Sequence, residues 1–206
     1  SQEDADLIAK VVAVANDDLV NKVVEEVSKN SNEEKKALSA KVMRSVIEAN
    51  PDKIKDLNDE IKEIVIKQTI DAAKNQNENL DNNDEDLTDI VADIIIEADI
   101  ETSGDIIKQL DITEVTEKSD LNLSILEKLS TKDLYEEKLE IIAIRSKLNE
   151  DAIDNLISKS IKDVEDNDQL DRVINLIDKS KGIVADKIVK SAEKNDNNKK
   201  KVIKVI

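Results

Sequence analysis

Two glycines and one proline in 206 residues leave this chain few means of making tight reversals. Tight hairpins and β-sandwiches need glycine and proline at their turns, because the backbone there takes a positive or a fixed φ. An all-β fold is therefore not expected, despite the many isoleucines and valines. Helices remain, and a helix needs no glycine to stop and restart if a polar cap stands at the junction.

The one proline marks such a junction, in "ANPDK" at 49–53, and "VANDD" at 14–18 repeats its chemistry about 34 residues earlier. At the first, Asn50 reads as the N-cap and Pro51 as the first helical residue, where its missing N–H costs nothing. At the second, Asn16 and Asp17 do the same work without proline. Acid in the first turn suits the positive end of the helix dipole at both.

Helical stripes fill the intervals. Leu7, Ile8, Val11, Val12 and Ala15 form one predicted apolar face, opened by the capping-box-like pair Ser1 and Asp4. Leu19, Val20, Val23, Val24 and Val27 form the next, and Leu38, Val42, Val46 and Ile47 follow Ser31 or Asn32 as cap. Further breaks are predicted at Asp84, Ser119, Asn149 and Ser180, roughly 30 to 35 residues apart, interleaved with Ser31, Thr102, Thr131, Asn167 and Asn195. No break shows near residue 66, so Pro51 to about Lys74 reads as one long helix. Echoes accompany the breaks: "IAKVV" at 8, "SAKVM" at 39, "VADII" at 91 and "IVADK" at 183.

The expected fold is all-α: degenerate helical-hairpin repeats in an α-solenoid-like array or elongated bundle. The period lies near that of tetratricopeptide arrays, but their aromatic and glycine positions have no counterparts here, and no family is assigned. A coiled coil is the rival, and its heptads are not sustained across the caps. One array over 1–206 is the preferred organisation. The polar stretch "NQNENLDNNDED", 75–86, is expected as a loop that could divide it into 1–75 and 84–206. Gly104, after the candidate cap Ser103, and Gly182, after Ser180, are expected at breaks.

Composition then narrows the chemistry. A formal charge of -17 argues against nucleic acid or an anionic membrane surface as partner. No stretch approaches the 18 or so apolar residues of a membrane span. Histidine and cysteine are absent, which removes Ser-His and Cys-His nucleophiles and any disulfide framework. The loop at 81–86 lacks the glycine and closing glutamate of a calcium-binding EF-hand, as does "DVEDND" at 163–168. Paired carboxylates such as Glu25/Glu26 and Glu136/Glu137 read as a solvated face. No catalytic residue, cofactor or metal is expected.

Charge is unevenly spread. Residues 78–120 hold 15 acids against 2 bases, whereas 181–206 hold 8 lysines against 3 acids. The chain opens on Ser1 with no leader segment, which reads as a trimmed end. It closes on "KKKVIKVI", an apolar run with no cap, so continuation or packing on a neighbour is expected there. Lys199, Lys200, Lys201, Val202, Ile203, Val205 and Ile206 are therefore candidate interaction residues. Tyr135, the one aromatic residue, is the other, expected to lay its ring on an apolar face with its hydroxyl in water. The expected function is a non-catalytic scaffold that associates with a protein partner or with further copies of itself, head to tail. The alternative is a spacer segment of a large secreted or cell-surface, adhesin-like repeat protein, which would favour an extracellular or periplasmic setting.

Overall fold

A computed structural model of the chain describes residues 2–29, 33–79, 86–113, 120–145, 151–162, 167–180 and 182–193. Among them are twelve helices and no strand: α1 (Gln2–Val14), α2 (Asp17–Ser28), α3 (Glu33–Ala49), α4 (Asp52–Lys55), α5 (Asp59–Asn79), α6 (Leu87–Glu97), α7 (Ile100–Ile112), α8 (Leu121–Leu129), α9 (Tyr135–Arg145), α10 (Asp151–Lys162), α11 (Asn167–Lys179) and α12 (Gly182–Glu193). The chain is all-α.

The junctions behave as capped breaks where the cap is local. Asn16 is extended and its side chain accepts the Leu19 N–H at 3.0 Å. Asn50 accepts the Asp52 N–H at 3.2 Å, with Pro51 already in helical geometry. Past Pro51, however, the long helix expected to Lys74 is two. A second cap, Asn58, accepts the Glu60 N–H at 3.0 Å and restarts the chain as α5. Asn58 is itself held by its own N–H, which donates to Asn21 Oδ1 at 2.7 Å.

Other junctions move by a few residues. α7 is capped by Asp99, not by Thr102 or Ser103; its carboxylate accepts the N–H groups of Glu101 at 2.9 Å and Thr102 at 3.1 Å. Ser103 is buried, and its hydroxyl lies within hydrogen-bonding reach of the Asp99 carbonyl at 2.8 Å and the Ile95 carbonyl at 3.0 Å. Gly104 consequently lies inside α7 and is buried rather than at a break. At the Thr131 junction, Ser130 and Thr131 close α8, donating to the carbonyls of Glu127 and Lys128, both at 2.7 Å. α9 starts only after Leu134, which takes a left-handed φ of 58°. Gly182 opens α12 rather than closing α11. The stretch expected as a loop from residue 75 is helix through Asn79, because Gln76 and Asn77 find partners: Gln76 Oε1 accepts the Leu87 N–H at 2.7 Å, and Asn77 donates to Asp120 at 2.8 Å. The expected breaks at Ser31, Asp84, Ser119, Asn149 and Asn195 lie outside the described residues.

The helices form a row in which α3 packs between α1 and α6, α6 between α3 and α8, α8 between α6 and α10, and α10 between α8 and α12. A second row, α2, α5, α7 and α9, lies along it, and α11 packs on α8 and α12. Substantial packing joins helices no more than three apart in chain order. That is the quasi-one-dimensional pattern of a repeat array. One apolar core nonetheless runs the full length, from Ala5 to Ile188, almost entirely of Ile, Val, Leu and Ala. α3 and α5 pack directly on α6 across the polar stretch.

The face of α1 differs from the expected one. Ala5, Ala9 and Val12 are buried towards the core, whereas Leu7, Val11 and Val14 are 65%, 45% and 87% exposed. Both sets follow helical spacing, so α1 carries two apolar stripes where one was predicted.

Candidate functional site

The polar side chains converge on joints between units rather than on one cleft. The largest joint is built by Arg172 of α11. Its Nε lies 3.0 and 2.9 Å from the two Glu127 oxygens, Nη2 donates to Glu127 Oε2 at 2.6 Å and to Ser124 Oγ at 2.9 Å, and Nη1 pairs with Asp120. Asn77 of α5 completes it, donating to Asp120 and, at 3.3 Å, to Ser124. Burial disfavours charge on both groups, yet the Arg172 and Asn77 hydrogen bonds hold the Asp120 carboxyl below its ordinary 3.8, and those to Glu127 and Asp120 hold the guanidinium above its own usual value. The fork thereby clasps α11 to α8 and its N-cap, with α5 joined through Asn77, and a lysine could not reproduce it.

A second joint runs along α6. Asp86, Asp89, Asp93 and Glu97 recur at helical spacing on one edge of a helix otherwise sunk in the core. Lys128 meets Asp86 at 2.7 Å, Lys132 meets Asp89 at 2.9 Å and Asp93 at 2.5 Å, and Arg44 of α3 lies 3.7 Å from Asp93. Glu97 has the opposite environment: burial, with the carboxylates of Glu48 and Asp93 nearby, pushes its carboxyl up from 4.5.

At three further joints a lysine reaches back to the carbonyl end of a helix in the preceding unit, where the dipole is negative. Lys53 donates to Ala15 O at 3.0 Å, Lys138 to Ala98 O at 2.6 Å, and Lys159 to Asp111 O. Lys62, nearly buried, meets Asp105 at 3.2 Å across the α5–α7 groove. That groove encloses about 380 Å³ and is lined mainly by opposite charges, among them Asp59, Glu63, Glu101 and Lys108. It presents no histidine, cysteine or serine for nucleophilic work. Among the described residues no group of three or more carboxylates is arranged to hold a metal ion, and no helix is long and apolar enough to cross a membrane.

Part of the acidic segment is thus engaged within the chain. Of its fifteen acids, Asp86, Asp89, Asp93, Asp105, Asp111 and Asp120 are each paired with a cation from another element. Tyr135 is also turned inward. It is 6% exposed, and its hydroxyl is hydrogen-bonded to Ser180 Oγ at 2.6 Å between α11 and α12, not to water as expected. The interaction residues Lys199, Lys200, Lys201, Val202, Ile203, Val205 and Ile206 lie outside the described residues. Sequence reasoning missed the Arg172 joint; the signal was a single arginine among thirteen residues of α11, with its partners 45 to 52 residues upstream. Comparison with protein-family models, with curated proteins and with solved structures gives no match.

Proposed function

We propose that this chain is a non-catalytic helical array that serves as a scaffold for protein–protein association, including association with copies of itself. The observation that supports this most is the disposition of the polar groups. The ion pairs that join different helices span 33 to 52 residues, about one unit of the array, and knit neighbour to neighbour. An enzyme concentrates such groups around a shaped, partly apolar cleft, where their pKa values diverge towards a task. Here they lie at joints between one helix and another some 33 to 52 residues away. Nearest-neighbour packing also favours the spacer reading, since each added unit lengthens the molecule without a new core.

Sedimentation velocity over a wide concentration range, with a parallel pull-down under stringent washing, tests the scaffold reading. Concentration-dependent growth or a stoichiometric partner is the expected result. A monomer at all concentrations with no stoichiometric partner counts against it. A reading frame that continues into a secretion signal and further units would select the spacer.

A further inference from the structure

Each inner member of the first row is covered on two sides, but α1 packs substantially only on α2 and α3. Its second stripe, Leu7, Val11 and Val14 at i, i+4 and i+7, is exposed on this end member of the row. Glu3, Asp4 and Asp6 stand before the stripe, Lys10 within it and Asp17 and Asp18 beyond it, five acids against one lysine, with Asp17 also 3.2 Å from Lys53. Residues 199–206 carry the complement: four lysines, no acid, and the four aliphatics Val202, Ile203, Val205 and Ile206.

Resting on the self-association reading above, we infer that the outer stripe of α1 is a docking face for a second copy of this chain, occupied by that copy's lysine-rich segment 199–206. The apolar stripes supply the buried contact, and the opposite charges set orientation and encounter rate more than affinity. Asp86, Asp89, Asp93, Asp105, Asp111 and Asp120 of the acidic middle are already paired with their own chain's cations, which weakens it as a counter-surface. The two faces differ, so the contact is heterologous and propagates head to tail unless it closes into a ring.

Two full-length variants test this by complementation. The first, Val11→Asp with Val14→Asp, spoils the stripe and keeps the lysine-rich segment. The second, Lys199→Glu, Lys200→Glu and Lys201→Glu with Ile203→Asp, keeps the stripe and spoils the segment. Val11 and Val14 lie outside the core, and circular dichroism checks that helix content is retained in both variants. Wild type should associate in low salt, weakening about tenfold or more as salt is raised from 0.1 to 1 M. Each variant alone should be monomeric, and their mixture should form a 1:1 dimer that does not grow. Wild-type association that survives in both variants overturns the α1 assignment and leaves the scaffold reading standing. Dimerisation of the second variant alone shows a symmetric stripe-to-stripe contact and overturns the lysine segment as occupant. A wild type that stays monomeric overturns both the inference and the self-association it rests on.

Discussion

At the scale of single residues, one carboxylate decides where α7 begins. Burial pushes the Asp99 carboxyl up, but the Thr102 hydroxyl at 2.6 Å and two backbone N–H groups outweigh it and hold the group below 3.8. A group depressed in the folded state contributes stability that is complete above its unfolded pKa and is lost as pH falls through the folded one. Asp99→Ala is therefore expected to cost about 1 to 2 kcal/mol at pH 7, typical of a lost cap. The difference from wild type should shrink once the pH drops below 3.8. Urea titrations of both proteins at neutral and acid pH measure it, and an equal gap at both pH values would remove Asp99 from that role. Sequence alone pointed three residues too far, to Thr102, because three hydrogen-bonding side chains stand within five positions and each satisfies a cap rule. Asp99 takes the cap because its carboxylate reaches two free N–H groups, whereas the Ser103 hydroxyl bonds backbone carbonyls behind it.

At the scale of elements, α6 shows what sequence patterns do and do not reveal. Its apolar run and the acids at its edge are plain in the chain, but nothing local says which cations face them. Arg44, Lys128 and Lys132 arrive from 39 to 49 residues away, beyond the reach of any local pattern. The junctions at Asn16 and Asn50 were legible for the converse reason, since cap and first turn are neighbours in sequence. Along the same edge Glu97 has a raised pKa from burial and from Glu48 and Asp93. The native state then grips that proton, and its contribution is complete below pH 4.5 and lost as pH rises through the elevated value. Glu97→Gln should accordingly raise the denaturation midpoint at pH 7, with the gain fading towards pH 4.5. A midpoint that falls at pH 7 would mean that Glu97 is engaged favourably.

At the scale of the whole molecule, packing between near neighbours makes stability a local quantity. α6 is covered by α3, α5, α7 and α8, whereas α1 rests on α2 and α3. Free energies of opening should therefore fall from the middle of the row to its ends. Hydrogen exchange should find the slowest amides in α6, α7 and α8 and the fastest helical amides in α1 and α12. Uniform protection would indicate a single cooperative unit. Fold class was legible because scarce glycine and recurring caps are properties of any stretch of the chain. The offset second stripe on α1 was not, since Leu7 and Val11 satisfy helical spacing whether they face inward or outward.

Tyr135, with no tryptophan or phenylalanine for company, makes the joint between α9 and the α11–α12 turn an optical reporter. Its absorbance and fluorescence watch that joint alone, while far-ultraviolet dichroism watches every helix at once. Burial drives its phenol up from 10.0 to about 12, so phenolate absorbance should appear late in an alkaline titration. The support it gives is complete below pH 10 and is lost as pH rises through about 12. If tyrosine emission and helix signal move at different denaturant concentrations, the C-terminal units melt apart from the rest, and a single chromophore will have resolved the order in which the array comes undone.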